Sequence, residues 1–243
     1  MAGLLKYSVD LYVSHIAMLI VFSFSFIVAF LIPIFAAFPT YNDAGAIFIR
    51  LASISQNLTP LSAAVIIFST LLSLLFLSFA IVSINIVVKH SRTRTRIRRE
   101  VVDGIEKYTT KVFLLLLLFS VITVGSSTLL YYTGAPAIVP YIVGLLASPF
   151  FFYAPAAIVM DEMRASRALR TSARLVFAKL SYPLVWLAVA IVLLSALDLV
   201  FIAVGGASWS RYMLLVFNSV FIMPFLVIMQ SEAYLRRYPL MKH

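Results

Sequence analysis

Residues 61–88 include no charged side chain, and the most basic stretch of the sequence follows them directly. The hydrocarbon core of a bilayer is about 30 Å thick, and a helix needs about 20 apolar residues to cross it. Inside that core every backbone N–H and C=O must be bonded within the protein, so only helices and closed barrels cross. A long apolar run without polar alternation reads as a spanning helix. Five further runs qualify, giving six spans at about 11–38, 61–88, 112–132, 138–160, 183–204 and 212–230. Residues 1–243 therefore read as a single integral membrane domain, an all-α polytopic helix bundle. Composition agrees: 63% of residues are hydrophobic and 12% charged, where soluble domains have about 45–50% and about 25%.

The first run is longer than the roughly 7–15 residues of a signal-peptide core and reads as an uncleaved span. Pro33 is expected to bend its far end, and Pro140, Pro149 and Pro155 are expected to kink or break the fourth span. Pro224 lies inside the sixth. The link 39–60 is polar and contains Asn57-Leu58-Thr59, a glycosylation acceptor pattern with proline directly after it. Gly134 and Pro136 predict a tight turn after the third span, and Gly205-Gly206-Ala207-Ser208 a turn after the fifth.

Charge sets the expected orientation. Of the 19 Lys and Arg residues, all but Arg50 and Arg211 fall on one side of a six-span arrangement. Cations flanking short loops stay on the cytoplasmic side, so both termini are expected inside. The link 89–111 holds Lys89, Arg92, Arg94, Arg96, Arg98, Arg99, Lys107 and Lys111. Within it, Asp103-Gly104-Ile105-Glu106 resembles a helix start. The second basic link, 160–179, has helical periodicity. Arg164, Arg167, Arg170 and Arg174 fall on one side, and Ala165, Ala168, Leu169, Ser172, Ala173 and Val176 on the other. Asp161 and Glu162 stand at its start, where a helix N-terminus favours negative charge. Such a helix suits the surface of an anionic membrane. The two basic links thus each predict a cytoplasmic interfacial helix beginning at an aspartate, which amounts to a faint internal repeat.

A proline late in a span, then an acidic residue, then Ala-Leu-Arg-x-Ser entering the next span appears here as Pro155, Glu162 (or Asp161), Ala168-Leu169-Arg170 and Ser172. This resembles the six-span membrane domain attached to some bacterial glycerophosphodiester phosphodiesterases, and that domain's stand-alone relatives. The resemblance implies a six-helix membrane domain with cytoplasmic interfacial helices. It carries over no hydrolase activity, because the soluble phosphodiesterase domain is not in this sequence.

No catalytic constellation is legible. The chain has no cysteine, which excludes disulfides, thiolate metal sites and cysteine nucleophiles. The histidines are His15, His90 and His243, and no His-Glu-x-x-His, Gly-x-Ser-x-Gly or phosphate-cradling glycine loop occurs. No catalytic residue, metal site or cofactor is expected. Asp198 is the one carboxylate deep in a span, with Asn218 its expected partner across the next helix and Arg211 a second candidate. Asn85 is expected at the interface. Gly144 and Ser148 form a small-xxx-small pair suited to close helix packing.

These features point to a non-catalytic membrane protein. Its basic cytoplasmic face would organise anionic lipid headgroups or partner proteins, through Arg92, Arg94, Arg96, Arg98, Arg99 and the four arginines of 160–179. A homo-oligomer or an accessory subunit of a membrane complex fits that reading, and nucleic acid does not, because the cations lie in short links between spans. The alternative is a transporter of a small solute or lipid, with Asp198 near the path.

Overall fold

The computed structural model describes residues 2–36, 40–43, 46–49, 59–93, 97–134 and 138–236. Asn57, Arg50, Arg94 and Arg96 lie outside them, as do the side chains of Arg92, Arg98, Arg99 and Arg211. The chain is an all-α membrane bundle with six helices long and apolar enough to span a bilayer. Its helices are α1 (Ala2–Ser14), α2 (Ile16–Phe35), α3 (Pro60–Thr93), α4 (Ile97–Tyr132), α5 (Ile138–Phe152), α6 (Ala154–Met160), α7 (Ala165–Ala178), α8 (Ser181–Phe217) and α9 (Met223–Leu235). A short antiparallel ribbon, β1 (Thr40–Asp43) against β2 (Ala46–Ile49), decorates the link after α2.

The first span is shorter than the apolar run suggests. His15 separates α1 from α2, and its Nδ1 lies 2.9 Å from Ser14 Oγ and 3.2 Å from Leu11 O. Only α2 is a spanning candidate. With Lys6 and Asp10 exposed, α1 buries Leu4 in the same apolar cluster as Tyr108, Tyr153 and Tyr234. Pro33 lies in the last turn of α2, which ends at Phe35.

α3 starts as its sequence dictates. Thr59 Oγ1 accepts from the Ser62 N–H at 3.2 Å, the Thr59 N–H donates to Ser62 Oγ at 2.9 Å, and Pro60 opens the helix. This is a reciprocal cap with serine in place of the usual glutamate. No helix begins at Asp103, because α4 is already helical from Ile97. Gly104 serves packing instead: a Cβ there would meet Ile86 Cδ1 at 2.9 Å, so glycine lets α4 close on α3.

The fourth span is broken, as its prolines predict. α5 ends at Phe152 and α6 begins at Ala154, with Pro155 in its first turn. The break is buried, and every residue from 153 to 159 is in the core.

The last two spans form a hairpin. Ser210 Oγ donates to Asp198 Oδ1 at 3.0 Å across 12 residues of sequence, which a straight helix would separate by about 18 Å. Trp186 Nε1 donates to Leu226 O at 2.8 Å, and the rings of Phe201 and Phe217 lie 5.1 Å apart. α8 therefore doubles back between Asp198 and Ser210, where the glycine pair lies. Before Pro224, which has no N–H to give, the helix widens into a π segment over Asn218–Ile222.

Candidate functional site: the basic end of the bundle

The break in the fourth span leaves polar backbone groups inside an apolar core, where each must find a partner. In an unbroken helix the Tyr153 N–H would bond Pro149 O. Here Ser172 of α7 stands between them, donating to Pro149 O at 2.7 Å and accepting from the Tyr153 N–H at 2.8 Å. One hydroxyl replaces one rung of the ladder and fastens α7 to the bundle. Gln230 Nε2 of α9 donates to the neighbouring carbonyl, Phe152 O. At the far end of α6, Lys89 Nζ donates to Val159 O at 3.2 Å.

The surrounding polar side chains are paired across the sequence. Ser231 Oγ donates to Asn85 Oδ1 at 2.7 Å, and Tyr234 OH donates to Asp161 Oδ2. Asn85 is therefore a core residue, 1% exposed. Asp161 and Glu162 do not open a helix. They occupy the link between α6 and α7, while Arg164 takes the position before α7 with an extended backbone and no side-chain cap. The predicted helix over 160–179 is reduced to α7 because these two carboxylates are engaged elsewhere. Asp161 meets Tyr234. Glu162 reaches Lys89 through Oε1 at 3.3 Å and Lys107 through Oε2 at 2.5 Å. The hydrogen bond from Lys107, with further ones from Tyr108 and Lys89, lowers its carboxyl pKa to about 2.

Glu162 also has a φ of 55°. Non-glycine residues are uncommon in this left-handed region, and such conformations persist where the surroundings hold them. Two lysines from two different helices supply that hold.

α7 divides as its periodicity predicts. Ala168, Ser172, Ala173 and Val176 are buried, while Arg164, Arg167, Arg170 and Arg174 are all exposed. None of the four arginines makes an ion pair among the described residues. The first turn of α7 carries no acidic residue to offset them, although cations are disfavoured near a helix N-terminus. The stripe is thus electrostatically unsatisfied within the described chain.

The other predicted residues are placed less tightly. Asp198 meets Ser210 rather than Asn218. Asn218 opens the π segment, and its Oδ1 is buried without a hydrogen-bond partner among the described residues. Asp198 and Ser210 flank the reversal of α8, so the hairpin turn brings them together before the helix reaches Asn218. A Cβ on Gly144 would meet Thr123 Cγ2 at 3.9 Å, an ordinary contact, so there is room for a methyl, and Ser148 Oγ bonds its own helix at Leu145 O. The close approach in this bundle is at Gly104. Among the described residues no group of three or more His, Cys, Asp or Glu could hold a metal ion.

Comparison of the chain with models of protein families, with curated proteins and with solved structures finds no match.

Proposed function

We propose that this integral membrane protein is non-catalytic and gathers anionic lipid headgroups, with any partner protein they recruit, through the exposed arginine face of α7. The observation that carries this reading is the state of Arg164, Arg167, Arg170 and Arg174: exposed, on one face, and unpaired among the described residues, while the opposite face of the same helix is anchored by Ser172. Cations in a connecting link also set orientation, but their alignment on one exposed face of an anchored helix suits contact with an anionic surface. Under this proposal the basic end faces the cytoplasm, where anionic lipids concentrate, and Arg92, Arg94, Arg96, Arg98 and Arg99 add to the same field. The resemblance to the six-span domain of membrane-anchored glycerophosphodiester phosphodiesterases accords with a membrane module whose interfacial helices serve attachment.

The test is lipid retention. Each cation near an anionic surface contributes about 1 kcal/mol, screened by salt. Replacing all four α7 arginines by Gln should lower the anionic lipid that copurifies and flatten its salt dependence. Unchanged lipid content and salt dependence would leave the stripe as a topology signal alone.

A further inference from the structure

The two ends of α7 stand at different heights above the bilayer. The first arm of α8 crosses as the fifth span, Ser181–Val204. About 20 residues cross the hydrocarbon core, and that count taken back from Val204 reaches Leu184. Trp186 therefore marks the edge of the core at the basic end, and the ring of Phe152 lies 5.2 Å from its own. Phe152 stands between Pro149 and Tyr153, whose backbone groups Ser172 bonds. Ser172 thus sits at the edge of the core. From Phe152 the chain runs away from the bilayer through α6 to Met160, eight residues or about 12 Å on. It turns at the Glu162 link and returns along α7, whose Ala168 and Val176 pack in one cluster with residues 154–159. Arg164, eight residues before Ser172, stands about 12 Å off along the helix. Arg174 and Lys179 stand at the end that meets the membrane.

The surface at that end is of two kinds. Arg174 and Lys179 are exposed and make no ion pair among the described residues. Lys179 Nζ lies 5.9 Å from the centre of the Tyr182 ring. Phe177, between the two cations in sequence, is 69% exposed. Beyond it Leu180, Leu184, Leu187 and Ile191 are exposed as well, at steps of four, three and four residues that keep them on one face. Cations at the edge of the core, above an apolar stripe that runs into it, match a phosphate joined to acyl chains. Resting on the lipid-gathering reading of α7, we propose that Arg174 and Lys179 hold the headgroup phosphate of one anionic phospholipid. Its acyl chain lies along Phe177, Leu184, Leu187 and Ile191. Arg164 takes no part, because its distance exceeds the Debye length of about 8 Å at physiological salt.

The test compares two double variants that each remove two positive charges. The full chain in neutral detergent is titrated with short-chain phosphatidylglycerol. Arg174→Gln with Lys179→Gln should weaken binding by about tenfold or more, the loss of two cations at the headgroup. Arg164→Gln with Arg167→Gln should leave it within about threefold. Equal weakening by the two pairs would overturn the site while leaving the lipid-gathering reading in place, and no weakening by either would overturn both. Inorganic phosphate at the same concentration should fail to compete, because it has no chain for the apolar stripe; effective competition would overturn the phospholipid assignment. A second measurement removes none of these cations. Single cysteines at Phe177 and Ser166 carry a fluorophore, in vesicles of phosphatidylcholine and phosphatidylglycerol with a nitroxide on the acyl chain. Strong quenching at position 177 and weak quenching at 166 is expected, and equal quenching at both would contradict the difference in height.

Discussion

The two ends of the bundle solve the problem of polar groups in an apolar setting in opposite ways. At the basic end the fourth span is interrupted, and the groups this exposes are met by Ser172, Gln230 and Lys89, each from a different helix. Asn85 with Ser231 and Asp161 with Tyr234 extend the same pattern. Toward the other end the described polar contacts are mostly local, as with Thr59 and Ser62 or Asp198 and Ser210 across one hairpin, with Ser73 Oγ donating to Ala29 O between α2 and α3 the exception. Packing follows the same division. Residues 82–88 and 153–159, at the basic end, are all buried, whereas none of residues 60–68 or 141–148, toward the other end, is. The tightly bonded end anchors a helix whose outer face carries arginines unpaired among the described residues, and the loosely packed end leaves its apolar surface to lipid. Rigidity has been placed where charge is displayed, which suits a surface that must hold cations in register.

If this contrast is right, substitutions at the basic end should cost far more than those at the other. The largest effect is expected for Ser172→Ala, which leaves the Tyr153 N–H and Pro149 O without partners. Each buried group left unsatisfied costs roughly 1–3 kcal/mol, so denaturant unfolding in micelles should show a loss at the upper part of that range or beyond. Asn85→Leu should cost less, on the order of 0.6–1.7 kcal/mol, the range for interhelical hydrogen bonds in membranes. Ser231 Oγ can donate instead to Val227 O.

Glu162 sharpens the comparison by pH. Its folded pKa, about 2, lies below the ordinary carboxylate value near 4.3. The stability it contributes is therefore complete above that ordinary value and is lost as pH falls from there toward 2. Melting curves between pH 5 and 2 should slope more steeply for the native chain than for Glu162→Gln, and parallel curves would remove the lysine clasp from the account. The smallest effects belong to the other end. Asp198→Asn should be nearly neutral, and Asp198→Leu should cost about 0.6 kcal/mol. A loss at Asp198→Leu as large as that at Ser172→Ala would erase the distinction between the ends. Abolition of an ion-coupled flux by Asp198→Asn would favour the transporter.

The spans, the hairpin at the glycine pair and the proline break are all legible in the sequence, since length, hydropathy and a missing N–H act locally. The face division of α7 is legible for the same reason, because it needs only helical periodicity. What composition hides is the pairing between distant residues. Nothing in the sequence pairs Asn85 with Ser231, and Ser172 looks like one small residue on an apolar face until the break at Tyr153 gives it two partners. Asp161 and Glu162 illustrate the same limit. A dipole argument assigns them to a helix start, but Tyr234, Lys89 and Lys107 compete for them more strongly. Asp198 drew attention by its depth in a span, yet its partner came from the nearest reversal of the chain. A serine two residues past the turn gave no signal that the Asn218 pairing would be pre-empted.

The central claim is that the bonded, arginine-bearing end faces the cytoplasm and the loosely packed end faces out. The chain has no cysteine, so single cysteines at Ser166, exposed on α7, and at Thr133, exposed beyond the third span, report the two ends separately. With an impermeant thiol reagent on intact cells, the account predicts labelling of Thr133→Cys, and labelling of Ser166→Cys only after the membrane is opened. Labelling of Ser166→Cys on intact cells would place the arginine face outside and contradict the account.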